Sequence, residues 1–177
     1  FIFNQGSDAE KALLELIMNA IDAGADQISL TVDRTGFVCS DNGRGFQSPA
    51  EIEKHFQTFG TPHIDGDARH GRVRLGRGQI MSLAHPAWDS REFIMDVDID
   101  QGQNPNFRIA STTSLGLAPY DGCRITGEWN KPLVSWALNR IVEDLKNRLR
   151  FVPVTIQING SATGFEKSIQ SITWTME

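Results

Sequence analysis

No stretch of this sequence is apolar for long enough to act as a signal peptide or to cross a membrane, so a soluble, cytoplasmic protein is expected. Only two cysteines are present, Cys39 and Cys123, which excludes a disulfide framework; Cys39 falls where a buried strand is expected. The four histidines, His55, His63, His70 and His85, lack the cysteine-supported spacing of a zinc site. A net charge of −5 argues against a broad nucleic-acid surface, leaving room only for a local basic patch acting with a partner domain. There is no internal repeat, low-complexity tract or run of like charge.

What is present suffices for one substantial core. The 177 residues are 40% hydrophobic and include four Trp and ten Phe, which fits a single domain spanning 1–177. Because the chain opens on Phe1 rather than Met, it is expected to be a portion of a longer protein.

The first informative segment is a helix expected near residues 8–23. Ser7 followed by Glu10 reads as a capping box, and Gly24 as a stop. Leu13, Leu14, Leu16, Ile17, Ala20 and Ile21 form a broad apolar stripe suited to packing on a sheet. Glu15, Asn19 and Asp22 fall within about 60° of one another at roughly 100° per residue, so all three face one side. Taken alone, such a trio is usually a solvated face. Asn19 argues otherwise, being an indifferent helix former, and the trio lacks the Glu-to-Lys pairs of an exposed face.

A hairpin follows. Gln27–Val32 alternates polar and apolar residues, Arg34-Thr35-Gly36 is a turn, and Phe37-Val38-Cys39 is the returning strand. That strand runs into Asp41-Asn42-Gly43-Arg44-Gly45, which places a carboxylate at a strand end beside backbone free to turn or approach a ligand. By itself an Asp-x-Gly-x-Gly run is more often an ordinary turn. Its position after the polar helix gives it weight.

Three ordered motifs now stand together: Glu15-Leu-Ile-Met-Asn19-Ala-Ile-Asp22-Ala23-Gly-Ala25, then Asp41-Asn-Gly43-Arg-Gly45, then Leu75-Gly76-Arg77-Gly78-Gln79. In these the chain resembles the GHKL ATPases, a superfamily that includes gyrase, the heat-shock chaperone, sensor histidine kinases and MutL. The resemblance implies an α+β fold of the Bergerat type. This is a two-layer α/β sandwich with helices packed on one face of a mixed, mainly antiparallel sheet.

The resemblance also implies ATP and Mg²⁺ as ligands, and roles that physical chemistry makes reasonable. Asn19 would give Mg²⁺ a side-chain oxygen, the kind of ligand this hard ion takes alongside phosphates. Glu15 would orient and deprotonate the attacking water. Asp41 would accept the adenine amino proton, a contact that leaves the wrong base unpaired at a cost of about 1–3 kcal/mol. Phe46 and the backbone around Ala23, Gly43 and Gly45 would line the base, with Asp22 in support. The family's adenine-site Gly-Thr pair is here Gly122-Cys123, with Thr126 further on. Three arrangements stay open: the backbone of Cys123, a bridging water, or Thr126.

Residues 47–78 match the family's lid in position and composition. Pro49–Phe56 can form a short helix, and Asp65–Arg74 lacks hydrophobic periodicity. Arg69, Arg72, Arg74 and Arg77 concentrate positive charge there; phosphate engagement is expected of Arg77, and no role is assigned to the other three. Gly76-x-Gly78 before Gln79-Ile-Met-Ser-Leu-Ala reads as a glycine turn opening a helix, whose first N–H groups would attract phosphate oxygens.

The remainder reads as scaffold. Strands are expected at Arg91–Ile99, Asn106–Ser111, Cys123–Trp129 and Val152–Ile158. A helix is expected at Val134–Leu149, with Trp136, Leu138, Ile141, Leu145 and Leu149 on its apolar face. This suits a helix layer on a mixed sheet. Because Glu15 stands where the family's sensor kinases usually carry another residue, the first expectation is a hydrolysing ATPase, slow in isolation, whose lid closure drives self-association. A histidine-kinase-like catalytic domain and a nucleotide-sensing module with little turnover are the alternatives. No phosphoacceptor-histidine helix accompanies the chain, and neither client nor effector can be read from it.

Overall fold

The first helix is carried further toward the N-terminus than its capping signals indicate. In the computed structural model, which describes residues 2–57, 75–98 and 106–164, helix α1 spans Ile2–Asp22. Ser7 therefore lies inside the helix and caps nothing. Tertiary packing explains the extension: α1 packs on a later helix, α4 (Ser135–Leu149), so closely that a Cβ at Gly6 would lie 3.4 Å from that of Ala137. The modest helix-propensity penalty of Ser7 and Asp8 is easily overridden by such packing. Glu10, buried, pairs instead with Arg148 of α4 at 2.7 Å.

The stop at Gly24 is as expected. Gly24 adopts φ +80°, its N–H donates to Ile21 O at 2.9 Å and that of Ala25 to Ala20 O at 3.0 Å, the Schellman pattern that satisfies the last carbonyls. Strands β1 (Gln27–Val32) and β2 (Gly36–Asp41) then form the expected antiparallel hairpin. Its turn is held by Asp33, whose Oδ1 accepts from the Thr35 hydroxyl at 2.7 Å and from the N–H groups of Thr35 and Gly36 at 2.6 and 2.9 Å. These bonds, the Thr35 hydroxyl first, hold the Asp33 carboxyl below its ordinary value.

Helix α2 (Pro49–Gln57) occurs where a short helix was expected. Ser48 Oγ accepts from Glu51 N–H at 3.2 Å at its start, with Pro49 in the first turn. Helix α3 (Leu75–Leu83) begins before Gly76, so the glycines lie in its first turn rather than in a turn ahead of it. Residues 58–74, which hold most of the expected lid and Arg69, Arg72 and Arg74, fall outside the described residues.

Two strands were not foreseen, at 84–91 and 161–163. β3 (Ala84–Arg91) continues directly from α3, and β4 (Phe93–Asp98), β5 (Asn106–Ser111), β6 (Tyr120–Trp129), β7 (Thr155–Ile158) and β8 (Ser161–Thr163) complete the sheet, with α4 between β6 and β7. Arg91 thus ends β3 instead of opening β4. Pro86 disguises β3 in the sequence, yet the fold accommodates it. Pairing of β3 with β4 starts only at Ala87, so Pro86 lies where the strand has a neighbour on the β6 side alone.

The strand order is β5-β4-β3-β6-β2-β1-β7-β8, and every pairing is antiparallel except β1 with β7. Side chains alternate between two unlike faces. Ile28, Leu30, Val32, Phe37, Cys39, Trp88, Met95, Ile125, Trp129, Ile156 and Ile158 enter one core with Leu13, Leu16, Ile17, Ile80, Ile141 and Leu145 from the helices. The other face is polar, with Arg124 paired to Asp89 and Arg108 to Asp96 across neighbouring strands. This is an α+β sandwich with its helices against one side of the sheet. Trp136 departs from expectation: α4 buries Ala137, Ile141, Leu145 and Leu149, and leaves Trp136 47% exposed.

Candidate nucleotide site

The site begins at the end of β2, on the helix-covered face. Asp41 shares that face with Phe37 and Cys39, both buried, because strand residues two apart point the same way. Its Oδ1 accepts from Gly43 N–H at 2.8 Å. Burial raises its pKa above the ordinary aspartate value, while backbone hydrogen bonds from Gly43 and Cys123 work against that rise. The result is a carboxylate short of hydration, poised to accept a hydrogen bond from a ligand.

The loop after Asp41 is fixed to the end of α1. Arg44 N–H donates to Ala23 O at 3.0 Å, and a Cβ on Gly43 would come within 3.1 Å of Ala23. Asn42 Oδ1 accepts from the N–H groups of Asp26 and Gln27 at 3.1 and 3.0 Å, and its Nδ2 donates to Asp26 at 2.7 Å. The Arg44 side chain pairs with Glu51 of α2, which also accepts from Gln47 N–H at 2.8 Å. That pairing holds the Glu51 carboxyl below its ordinary value.

From this anchor the helix face runs back in steps of four. Ala23, Asn19 and Glu15 each lie one turn further from the loop, so Asn19 stands about 6 Å and Glu15 about 12 Å along the helix axis from Ala23. Asn19 and Glu15 are half-buried, and Oε1 of Glu15 is screened from solvent. Asp22 is exposed at the edge of this ladder. Helix α3, which carries Gly76-Arg77-Gly78-Gln79 in its first half, packs against α1. Gln79 is half-buried, and the side chain of Arg77 lies outside the described residues.

Strand pairing places the two residues left open at the adenine end, Cys123 and Thr126. Cys123 pairs directly opposite Asp41, whereas Thr126 is three residues further along β6, opposite Val38, and exposed on the far face of the sheet. Three residues apart in a strand means opposite faces. Thr126 is therefore not brought to the site, and of the three arrangements left open the backbone of Cys123 is the one already at Asp41. Burial, and next the charge of Asp41, push the Cys123 thiol up to about 12; burial pushes Cys39 up as well, so both thiols stay protonated near neutrality.

Gly122 and Gly45 were not seen to be a pair in the sequence. Gly122 has φ +121°, and a Cβ there would lie 2.0 Å from Asp41 O; Gly45 has φ +61°, and a Cβ there would lie 2.6 Å from Gly122 O. Only glycine lets these three backbone segments meet. Gly122→Ala is expected to cost more than about 3 kcal/mol through combined strain and overlap, read as a fall in the urea midpoint. Phe46, half-buried, meets His55 edge-on at 4.8 Å between ring centres. A cleft of about 600 Å³ adjoins this loop, lined by Phe46, Gln47, Arg91, Glu92, Phe93, Pro119, Tyr120 and Asp121.

Residues 7–94, which carry all three motifs, match the family described as histidine kinase-, DNA gyrase B-, and HSP90-like ATPase. The chain belongs to the GHKL ATPase family. Its fold is similar to that of the Aquifex aeolicus MutL ATPase domain complexed with ADP, at 17% identity and a TM-score of 0.52, covering 87% of this chain and 61% of that one. It is also similar to the N-terminal domain of a DNA repair protein, at 17% identity and a TM-score of 0.54, covering 83% of this chain and 46% of the other. A second structure of the Aquifex aeolicus MutL ATPase domain gives 16% identity and a TM-score of 0.50, over 88% of this chain and 59% of that one. This GHKL chain thus spans less than two thirds of each of these structures. No curated protein matches it. None of its described helices is long and apolar enough to cross a membrane.

Proposed function

We propose that this chain binds ATP together with Mg²⁺ and cleaves its terminal phosphoanhydride bond with water, releasing ADP and phosphate. The observation that carries the reading is the ladder Ala23, Asn19, Glu15 rising from the loop that holds Asp41. Loop and ladder together set out, in order, Asp41 as a purine acceptor, Asn19 as a hard oxygen ligand and Glu15 as a carboxylate. Among the described residues no three His, Cys, Asp or Glu side chains converge on a cation, so Asn19 would hold Mg²⁺ with oxygens from the phosphates rather than from a protein cage. The ion would neutralise charge on those oxygens.

The chain's own residues supply the rest. Asp41 accepts the adenine amino proton, while Phe46 and the backbone of Ala23, Gly43 and Gly45 line the base. The first turn of α3, with Gly76, Arg77, Gly78 and Gln79, presents N–H groups to the phosphates. Glu15 orients a water against the γ-phosphate and takes its proton. Hydrolysis depends chiefly on positioning and electrostatics. Asp22, at the ladder's solvent edge, supports Asn19.

A single nucleotide-binding domain over 1–177 is part of this proposal, as is closure of 47–78 over the phosphates with association of two copies. Sedimentation with and without a non-hydrolysable ATP analogue reads out that association. The site itself is tested by titration calorimetry. ATP with Mg²⁺ is expected to bind, and GTP to bind about 10- to 100-fold more weakly because its keto group faces Asp41 with an acceptor. Equal affinity for the two nucleotides, or none for ATP, sinks the assignment. Turnover by the chain separates hydrolysis from a sensing module.

A further inference from the structure

The pairing of β3 with β6 breaks between Ser90 and Arg91: Ser90 lies opposite Cys123, Arg91 opposite Tyr120. The side chains on the two sides of this bulge reach one loop. Ser90 is fully buried; its Oγ donates to Gly122 O at 2.9 Å and accepts from Phe46 N–H at 3.0 Å. Arg91 Nε donates to Arg44 O at 2.8 Å, and its guanidinium pairs with Asp121 at 2.6 Å. The residues flanking Gly45 are thereby tied to those flanking the contact of Gly122 with Asp41.

We propose that Ser90 and Arg91 are positioning residues that hold Gly45 and Phe46 against Gly122 in the shape that receives a purine beside Asp41. This rests on the nucleotide reading above. A buried hydroxyl that donates to one segment and accepts from another fixes both at a single point, which no apolar side chain does. Arg91 adds a second point, and does so at a backbone cost. It holds φ +55°, a conformation that glycine adopts freely and other residues adopt at a cost. Its ion pair lies at the surface, with Arg91 39% and Asp121 91% exposed, so that pair adds little to the fold. The use of Arg91 lies in the shape of the loop.

The test compares the parent with Arg91→Gly and Ser90→Ala, reading ATP affinity with Mg²⁺, steady-state kinetics, melting temperature and hydrogen exchange at the Phe46 amide. Arg91→Gly removes the tie and the backbone strain together. It is expected to melt within about 3 °C of the parent, yet to bind ATP about tenfold more weakly, with KM raised and kcat unchanged. In Ser90→Ala the Phe46 amide is expected to exchange at least about tenfold faster, and Ser90→Thr, which keeps the hydroxyl, to restore its protection. Parent-like affinity in Arg91→Gly overturns the proposal, as does a loss of affinity accompanied by a matching loss of stability. Should Ser90→Ala fail to fold, Arg91→Gly decides alone. A parent that binds no ATP removes the nucleotide reading and this one with it; a parent that binds, beside an Arg91→Gly that binds equally, removes only this one.

Discussion

Glu15→Ala is expected to lower kcat for ATP hydrolysis by about 10²- to 10⁴-fold, the usual contribution of a positioned general base, while leaving the ATP dissociation constant within a few-fold of the parent. The separation follows from where Glu15 stands. It lies two turns from Ala23 and the purine loop, so its loss leaves the base contacts in place, and a carboxylate near phosphates opposes binding if anything. The fold should tolerate the change, since alanine is the best helix former and Glu15 lies outside the α1 stripe of buried apolar residues. Glu15→Gln, of the same size and unable to take a proton, should be as slow. Single-turnover hydrolysis and calorimetry on the same samples check both halves. An alanine variant that turns over as fast as the parent removes Glu15 from the mechanism.

Asp41→Asn has an equally large expected effect, on binding instead of turnover. The backbone N–H groups of Gly43 and Cys123 both bond to the Asp41 carboxyl. In the variant the single amide oxygen is drawn to those donors, which turns the NH₂ toward the adenine amino group, donor against donor. Loss of a charge-assisted bond plus an unpaired buried donor is expected to weaken ATP binding by at least about 100-fold.

Stability should move the other way. The folded-state pKa of Asp41 is raised, so its contribution to stability is fully present below its unfolded pKa and is lost as pH rises through the folded value. At neutral pH the ionised group is therefore a burden on the ligand-free fold, and Asp41→Asn should melt no lower than the parent there, with the parent's advantage appearing only in acid. Conversely, ATP binding by the parent should fall as pH drops through that same raised pKa, because a protonated Asp41 is a poorer acceptor. Melting curves and titrations across the acid range check these opposite slopes. A variant that binds ATP like the parent takes the purine contact away from Asp41.

Much of the architecture could be read before any coordinates. The hairpin was legible because Asp33-Arg34-Thr35-Gly36 makes its own turn through bonds no more than three residues long. The end of α1 was legible because glycine at position 24 satisfies a purely local pattern. The polar ladder was legible because helical periodicity is independent of what packs around it. The start of α1 was misread for the complementary reason. Ser7 and Glu10 carry a local capping signal, but contacts with α4, far along the chain, outweigh it. Trp136 was assigned to a buried face on periodicity, and the breadth of the apolar stripe on α4 did not say which edge the sheet would cover.

The purine end of the site divides the same way. Thr126 could have been set aside from the sequence, since three positions along a strand from Cys123 reverse the face. β3 was hidden by Pro86, and with it Ser90 and Arg91, whose partners Phe46, Gly122, Arg44 and Asp121 lie 30 to 47 residues away.

By itself, then, the amino-acid order determined the helices with local signals, the hairpin, the three motifs and the family, all of which depend on spacing along the chain. Only the assembled sheet decided that Cys123 lies opposite Asp41, that Gly45 and Gly122 touch, and that Ser90 and Arg91 close around them. Those outcomes depend on strand register and on the steric fit between distant segments, which no local periodicity encodes.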